Sequence, residues 1–275
     1  MRLIVSTQQL ATLYLLLVLS VPVLAAPSAD LWSVWDRAGT KVGLDHSTWQ
    51  GVLDDYVVAS EDGVNRVRYD ALRADGAEGL RTYIEDMAAI DPREFTQDEQ
   101  MAYWINMYNA LTIQLVLEYP KKGSILRMGK KFFAIGPWDD AVVTIAGESL
   151  TLNDIEHRIL RPIWQDHRIH YAVNCASIGC PNLSAAAYTA DSLEKLLQEA
   201  ETAYLAHPRG VAVQGRRVSL SSIFKWYRTD FGATEADVLE YIGTHHPEVQ
   251  ALLSGPGVSK VRYDYDWALN RVEAP

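Results

Sequence analysis

The sequence lacks repeats, low-complexity tracts and any linker-like segment that would divide it. After its first 26 residues it also lacks a hydrophobic run long enough to span a bilayer. Basic residues are scarce, since 25 Lys and Arg oppose 35 Asp and Glu, for a formal net charge of −10. Such an acidic chain disfavours nucleic acid and anionic lipid headgroups as partners. We therefore expect one domain, with no integral membrane span once the N-terminal segment is removed.

That N-terminal segment is typical of a secretory signal peptide. Arg2 is its only charge, residues 10–24 are mostly apolar, and small residues up to Ala26 offer a cleavage site. No cysteine lies near that site, which argues against a lipoprotein, while the single charge leaves an uncleaved anchor open. The sequence thus predicts a signal peptide at 1–26, a mature domain at 27–275, and a periplasmic or secreted location in an oxidising compartment.

Hydrophobic periodicity divides the mature chain into helices and short strands. It predicts helices within 30–60, 77–90, from 97 past 115, 151–161, 191–206, 222–232 and 234–243. It predicts extended segments at 67–69, 141–150 (a hairpin), 169–173, 211–219 (a hairpin) and 263–267. Helices dominate the first part and short strands with mainly antiparallel signals come later. This order indicates a helix-rich α+β fold with a small, mainly antiparallel sheet that includes 169–173 and 263–267.

The strongest helix signal begins at Gln97. Thr96 with Glu99 three residues later has the form of a capping box, and large apolar residues then recur at helical spacing. Asn106 and Asn109 lie three apart beside this apolar face. Asparagine is a mediocre helix former, so both are expected to have a hydrogen-bonding duty. That duty is either to the backbone of a neighbouring loop or to positioning within an active site.

Both cysteines, Cys175 and Cys180, follow the predicted strand 169–173 and lie in a turn of small residues. A disulfide between them would close a spacer of only four residues. On the entropic model a loop this short stabilises the fold by roughly 2 kcal/mol. The structural interpretation is therefore a braced loop at the exit of a strand.

Two functional interpretations of the same cysteines compete with the braced loop. In the first, Cys175 is a thiolate nucleophile and His170 its base. Side chains alternate along a strand, so this pair meets only if the strand ends before Cys175. His157, on the preceding helix, is the other candidate base. In the second, the two cysteines with His167 and His170 form a tetrahedral zinc site, although the spacing is cramped.

Five segments of the chain resemble one family, DUF547, a domain of unknown function. They are AYWINMYNALTI (102–113), SLTLNDIEHRILRP (149–162), RIHYAVNCASIGCPNL (168–183), SIFKWYRTDFG (222–232) and YDYDWALN (263–270). The resemblance covers nearly the whole mature chain. Its element order is similar to that of papain-like and transglutaminase-like thiol enzymes, which place a nucleophile at a helix start. Here the corresponding helix carries Asn106 and no cysteine, so a thiol would come from Cys175.

The first functional hypothesis is an exported thiol-dependent hydrolase or transferase that acts on an amide or small peptide. The alternatives are a non-catalytic periplasmic binding domain with a disulfide-braced loop, and a metal-binding domain. In each case the expected partner is a small-molecule or peptide ligand; no cofactor is expected, and the sequence identifies no protein partner.

The residues also predict where the site lies. A cleft is expected where the loop after Val173 meets the first turns of the helices from Gln97 and Thr151, whose free N–H groups favour anions. The polar side chains expected to converge there are Asn106, Glu156, His157, His170 and Cys175.

N-terminal sequencing of protein purified from its native host tests the predicted signal peptide. We expect the mature chain to begin at about Ala26 or Pro27, because the small residues there suit signal peptidase. An intact Met1 on a cytosolic species would contradict the prediction.

Overall fold

Helix α4 (Gln97–Glu118) runs through the interior of the protein. In this computed structural model, which describes residues 27–130 and 136–272, every residue of α4 from Glu99 to Ile113 is buried. A helix without a polar face is surrounded by other elements on all sides. The predicted signal peptide lies outside the described residues.

The other elements flank α4. The remaining α-helices are α1 (Ser47–Tyr56), α2 (Tyr69–Ala71), α3 (Ala77–Ala88), α5 (Arg161–Trp164), α6 (Ile169–Ala172), α7 (Leu193–Ala206), α8 (Ile223–Trp226), α9 (Arg228–Phe231), α10 (Glu235–His245) and α11 (Pro247–Leu253). A π-helical segment, Asp154–Leu160, continues directly into α5. The strands are β1 (Val57–Val58), β2 (Arg66–Val67), β3 (Ala141–Ile145), β4 (Glu148–Thr151), β5 (Val211–Gln214), β6 (Arg217–Ser221) and β7 (Lys260–Asp264).

The strands form small sheets rather than one large one. β1 pairs with β2 and β3 with β4, both antiparallel. In the third sheet β6 is central, antiparallel to β5 and parallel to β7. The predicted α+β class with small, mainly antiparallel sheets is therefore confirmed, and the parallel β6–β7 pair adds to it.

The prediction of a strand at 169–173 is wrong. Residues 169–172 form the short helix α6, all of it buried. A short apolar run is compatible with a buried strand or a buried helix, and periodicity does not separate the two. The structure resolves this choice with hydrogen bonds from α4: Asn109 Nδ2 donates to Ala172 O, and the Asn174 N–H donates to Asn109 Oδ1, at 3.0 and 2.8 Å.

The predicted C-terminal strand is displaced. β7 covers Lys260–Asp264, so only the first part of 263–267 is extended in the sheet. Beyond it the chain turns, with the N–H groups of Tyr265 and Ala268 held by the Asp264 and Asp266 carboxylates. The alternating Tyr and Asp residues therefore belong partly to this turn. The turn places the Tyr265 and Trp267 rings in the wall of a cavity.

Two further predictions fail near the N-terminal half. Of the helix expected over 30–60, only a 3₁₀ turn at Ser33–Trp35 and α1 are helical. The helix at Gln97 starts as predicted, yet Thr96 makes no side-chain cap bond. Glu99 instead accepts hydrogen bonds from the N–H groups of Gly43 and Leu44, so this carboxylate ties a distant loop to α4.

The buried apolar side chains form two clusters. The first surrounds α4 and includes Trp35, Trp104 and Leu269. The second lies beneath the β5–β6–β7 sheet and includes Tyr171 and Phe224. Segment 169–183 runs between the clusters, since its neighbouring residues contribute to different ones.

Asn270 provides a test of how the C-terminal segment supports the fold. Its Oδ1 accepts a 2.7 Å bond from the buried Tyr69 hydroxyl, and its backbone O accepts from the Val67 N–H. We expect Asn270→Ala to reduce the free energy of unfolding by about 2 kcal/mol, because the Tyr69 hydroxyl loses its partner. Thermal unfolding monitored by circular dichroism measures this change.

Val272→Ala, at an exposed site on the same segment, is the control and should leave the midpoint unchanged. Deletion of residues 261–275 should lower the midpoint of the whole domain, because most of β7 and Leu269 are lost together. A truncated protein with the original midpoint would show that the segment is dispensable.

Candidate functional site

A cavity of about 600 Å³ opens between the two clusters. Aromatic side chains dominate its wall: Tyr108, Trp138, Trp226, Tyr227, Tyr263, Tyr265 and Trp267. Several of them contact one another, with ring centroids 4.5 Å apart for Tyr265 and Trp267 and 4.8 Å for Trp226 and Tyr265. Through these and two further contacts, Trp138, Trp226, Tyr265 and Trp267 form one connected group of rings.

The cavity collects most of the residues predicted for the site. Glu156, His157, His170 and Cys175 all line it, whereas Asn106 does not. The Asn106 side chain instead bonds the backbone N–H and C=O of Tyr188, at 3.0 and 2.7 Å. Asn106 thus anchors the segment before α7.

The helical elements around the cavity also differ from the expectation. The middle of α4 reaches the cavity through Tyr108, and its first turn does not. At the start of the segment after β4, Thr151 and Asp154 exchange reciprocal hydrogen bonds of 2.8–3.0 Å. The next turn of the π-helical segment then presents Glu156 and His157 to the cavity.

A charged network fixes the polar end of the cavity. Arg161 donates two hydrogen bonds to the Asp230 carboxylate, Nε to Oδ2 at 2.6 Å and Nη2 to Oδ1 at 2.9 Å. The His170 ring lies between two carboxylates, with Nε2 2.7 Å from Asp230 Oδ2 and Nδ1 3.6 Å from Glu156 Oε1. Its face stacks on Tyr227 at 4.2 Å. The His170 ring is therefore held in one orientation.

Glu156 is a buried carboxylate that stays ionised. Burial alone would raise its pKa, but the His157 and His170 rings and the Arg161 guanidinium outweigh burial and lower the pKa to about 2. Such a weak base accepts hydrogen bonds but takes up no proton near neutral pH. Glu156 therefore supplies a fixed negative charge to the cavity.

His157 is held in the neutral state. Burial lowers the pKa of its imidazole and outweighs the opposing charge of Glu156. Arg161 Nη1 lies 3.1 Å from His157 Nδ1, and the same Nη1 donates to Pro27 O. Because arginine only donates, Nδ1 is the acceptor and Nε2 carries the ring proton. Nε2 has no hydrogen-bond partner among the described residues, so it remains available as a donor.

The two cysteines form a disulfide at the cavity wall. The zinc interpretation is not supported, because His167 bonds Glu201 and His170 bonds Asp230. Within residues 27–130 and 136–272, no cluster of His, Cys, Asp and Glu is placed to hold a metal ion.

The chemistry-bearing residues that the sequence analysis missed are Arg161, Asp230 and Tyr265. Each lies inside one of the five quoted segments, and all five segments contribute side chains to the cavity wall. The five segments thus contained the residues of the site. Periodicity alone, however, gave no reason to place residues so distant in sequence at one cavity.

Comparison with known families finds a match for part of the chain. The model of DUF547, described as a protein of unknown function, matches residues 92–205. Over this range the chain is similar to the DUF547 family. The match is shorter than the expected resemblance over nearly the whole mature chain. It covers the first three of the quoted segments. No curated protein and no solved structure matches the chain.

Asp230→Asn tests the charged network at the polar end of the cavity. Burial favours the neutral acid, but hydrogen bonds from His170 and Arg161 hold the pKa of Asp230 well below its usual range. A depressed carboxyl pKa stabilises the fold above the unfolded-state pKa, about 3.9 for Asp, and the stabilisation is lost as pH falls further. We expect Asp230→Asn to lower the free energy of unfolding by about 2 kcal/mol at pH 7.

The difference in free energy of unfolding between wild type and variant should shrink as pH falls below about 4, because the Asp230 carboxyl of the unfolded wild type then takes up a proton while the folded one stays ionised. Denaturant unfolding of both proteins at a series of pH values measures this difference. Asp86→Asn, on an exposed face of α3, is the control and should match wild type throughout. A constant difference from pH 7 to pH 2 would rule out the titration of Asp230 as its cause.

Proposed function

We propose that the protein is a binding domain that holds a small-molecule or peptide ligand in the aromatic cavity. The disulfide braces the loop at the wall of this cavity. The observation that carries this proposal is the cavity itself. Its volume of about 600 Å³ falls within the range of ligand sites, and its wall combines apolar rings with a few fixed polar groups.

The polar groups suit recognition better than proton transfer. Glu156, with a pKa of about 2, accepts hydrogen bonds without taking up a proton. His157 offers a neutral N–H, and His170 is held between two carboxylates. A fitting ligand therefore has a flat or apolar body, a donor for Glu156 and an acceptor for His157.

A thiol-dependent hydrolase or transferase acting on an amide or small peptide is the second candidate. One observation favours it, since Cys175 lies in the same cavity as Glu156, His157 and His170. The disulfide leaves no thiolate, so this activity requires prior reduction. Ester or amide hydrolysis that appears with reductant and is lost in Cys175→Ser would favour it over the binding domain.

We also propose that the chain is exported to the periplasm or secreted. The apolar N-terminal run supports this proposal, and so does the disulfide, because such bonds persist in oxidising compartments. Among the described residues, no helix has the length and apolar character that crossing a membrane requires.

Binding of N-phenyl-1-naphthylamine, a neutral aromatic probe, tests the cavity. We expect the wild type to enhance its fluorescence. Trp267→Leu should weaken binding by roughly ten-fold, because an aromatic contact surface is lost. Trp32→Leu is the control, since Trp32 packs outside the cavity against Arg158 and should leave binding unchanged.

Absence of probe binding to the wild type would contradict a ligand site here. Equal weakening by both tryptophan variants would indicate general loosening of the fold. Thermal midpoints of the two variants separate these outcomes.

A further inference from the structure

We propose that the Cys175–Cys180 disulfide is a reaction centre for thiol–disulfide exchange, in which an incoming thiolate attacks Cys175 and Cys180 leaves as thiolate. This activity goes beyond ligand binding and differs from hydrolysis, because the bond that breaks is the protein's own S–S bond. The class of co-reactant is a small organic or peptide thiol that enters the aromatic cavity.

The two sulfurs differ in access. Both cysteines line the cavity, but Cys175 is partly exposed, whereas Cys180 is only 4% exposed. Exchange begins at the sulfur that a thiolate reaches, and the other sulfur becomes the leaving group. The geometry therefore assigns Cys175 as the attacked sulfur.

The leaving sulfur already has hydrogen-bond donors. The backbone N–H of Cys175 donates to Cys180 Sγ at 2.9 Å, and the Tyr265 hydroxyl donates to the same sulfur at 3.2 Å. A disulfide sulfur is a weak acceptor, but a thiolate is a strong one, so these bonds strengthen as negative charge develops. Both donors thus favour departure of Cys180.

Tyr265 is placed to serve either sulfur. Its hydroxyl lies 3.1 Å from Cys175 Sγ and 3.2 Å from Cys180 Sγ, and it accepts a hydrogen bond from Ser177 Oγ. Burial raises the pKa of Tyr265 far above its usual value, so the hydroxyl keeps its proton. One donor can therefore stabilise whichever thiolate forms, in the forward or the reverse direction.

Hydrogen bonds hold the loop in addition to the disulfide. Asn174 bonds Pro181 O and the Ala176 N–H through its side chain, at 2.7 and 2.8 Å. The N–H groups of Ile178 and Gly179 donate to Ala268 O and Asp266 O. A bridge across so short a spacer also constrains the unfolded chain little. Bracing alone is therefore a weak reason for these two cysteines.

The exchange transfers one S–S bond in each step. A thiolate forms a bond to Cys175 Sγ, the Cys175–Cys180 bond breaks, and Cys180 keeps the electron pair. If the co-reactant is a dithiol, its second thiolate then attacks the mixed disulfide and releases Cys175. The dithiol loses two electrons and two protons and becomes a disulfide, while the protein's disulfide becomes two thiols. A small disulfide reverses the reaction.

The first experiment measures opening of the disulfide in the full chain with dithiothreitol as the dithiol. We expect thiols to appear in folded protein about ten-fold or more faster than the protein unfolds. Tyr265→Phe should slow opening roughly ten-fold, because the leaving thiolate loses a donor. Tyr119→Phe is the control, since Tyr119 lies just beyond the end of α4 and does not line the cavity, and its rate should equal wild type.

The second experiment compares the single cysteines. Cys180→Ser leaves Cys175, which should form a mixed disulfide with 5,5′-dithiobis(2-nitrobenzoate) about ten-fold faster than the buried Cys180 does in Cys175→Ser. Opening that occurs only in denaturant, equal rates for Tyr265→Phe and Tyr119→Phe, or faster labelling of Cys180 would each overturn the proposal. Failure of probe binding in the cavity leaves these rates unaffected, so the two proposals stand or fall separately.

Discussion

The structure depends on the side-chain amides of α4 that satisfy buried backbone groups. Segment 169–183 passes through the interior without joining a sheet, so its N–H and C=O groups need other partners. Asn109 supplies both kinds of bond, to Ala172 O and from the Asn174 N–H. This contact fixes where α6 ends and where the loop to Cys175 begins. Asn106 does the same for the chain at Tyr188.

Charge compensation is the second constraint on the cavity. Arg161 and Asp230 neutralise one another, and Asp230 also orients His170. Glu156 therefore remains as an ionised group facing the aromatic rings, with His157 neutral beside it. Removing a single partner would leave an uncompensated buried charge, which is costly in a low-dielectric interior. The network thus makes the site rigid before any ligand arrives.

The sequence predicted the elements whose patterns are local. The hairpins, α3, and the starts of α4 and α10 follow from turn residues, alternation and helical periodicity. It failed where tertiary contacts decide, because Ile169–Ala172 is helical through bonds from α4. Glu99, similarly, serves a distant loop instead of capping its own helix. Four of the five candidate side chains do share a cavity, and the disulfide across the short spacer is present, yet the role of Asp230 depends on distant packing that no spacing reveals.

The burial of α4 on every side has a consequence for the timing of folding. Its packing partners come from both ends of the described chain, including Trp35 and Leu269. Contacts between residues so far apart in sequence form late, because the intervening chain must first be brought together. A growing chain that still lacks its last residues therefore cannot complete the core. Such a chain stays loosely packed around α4 until synthesis is nearly finished.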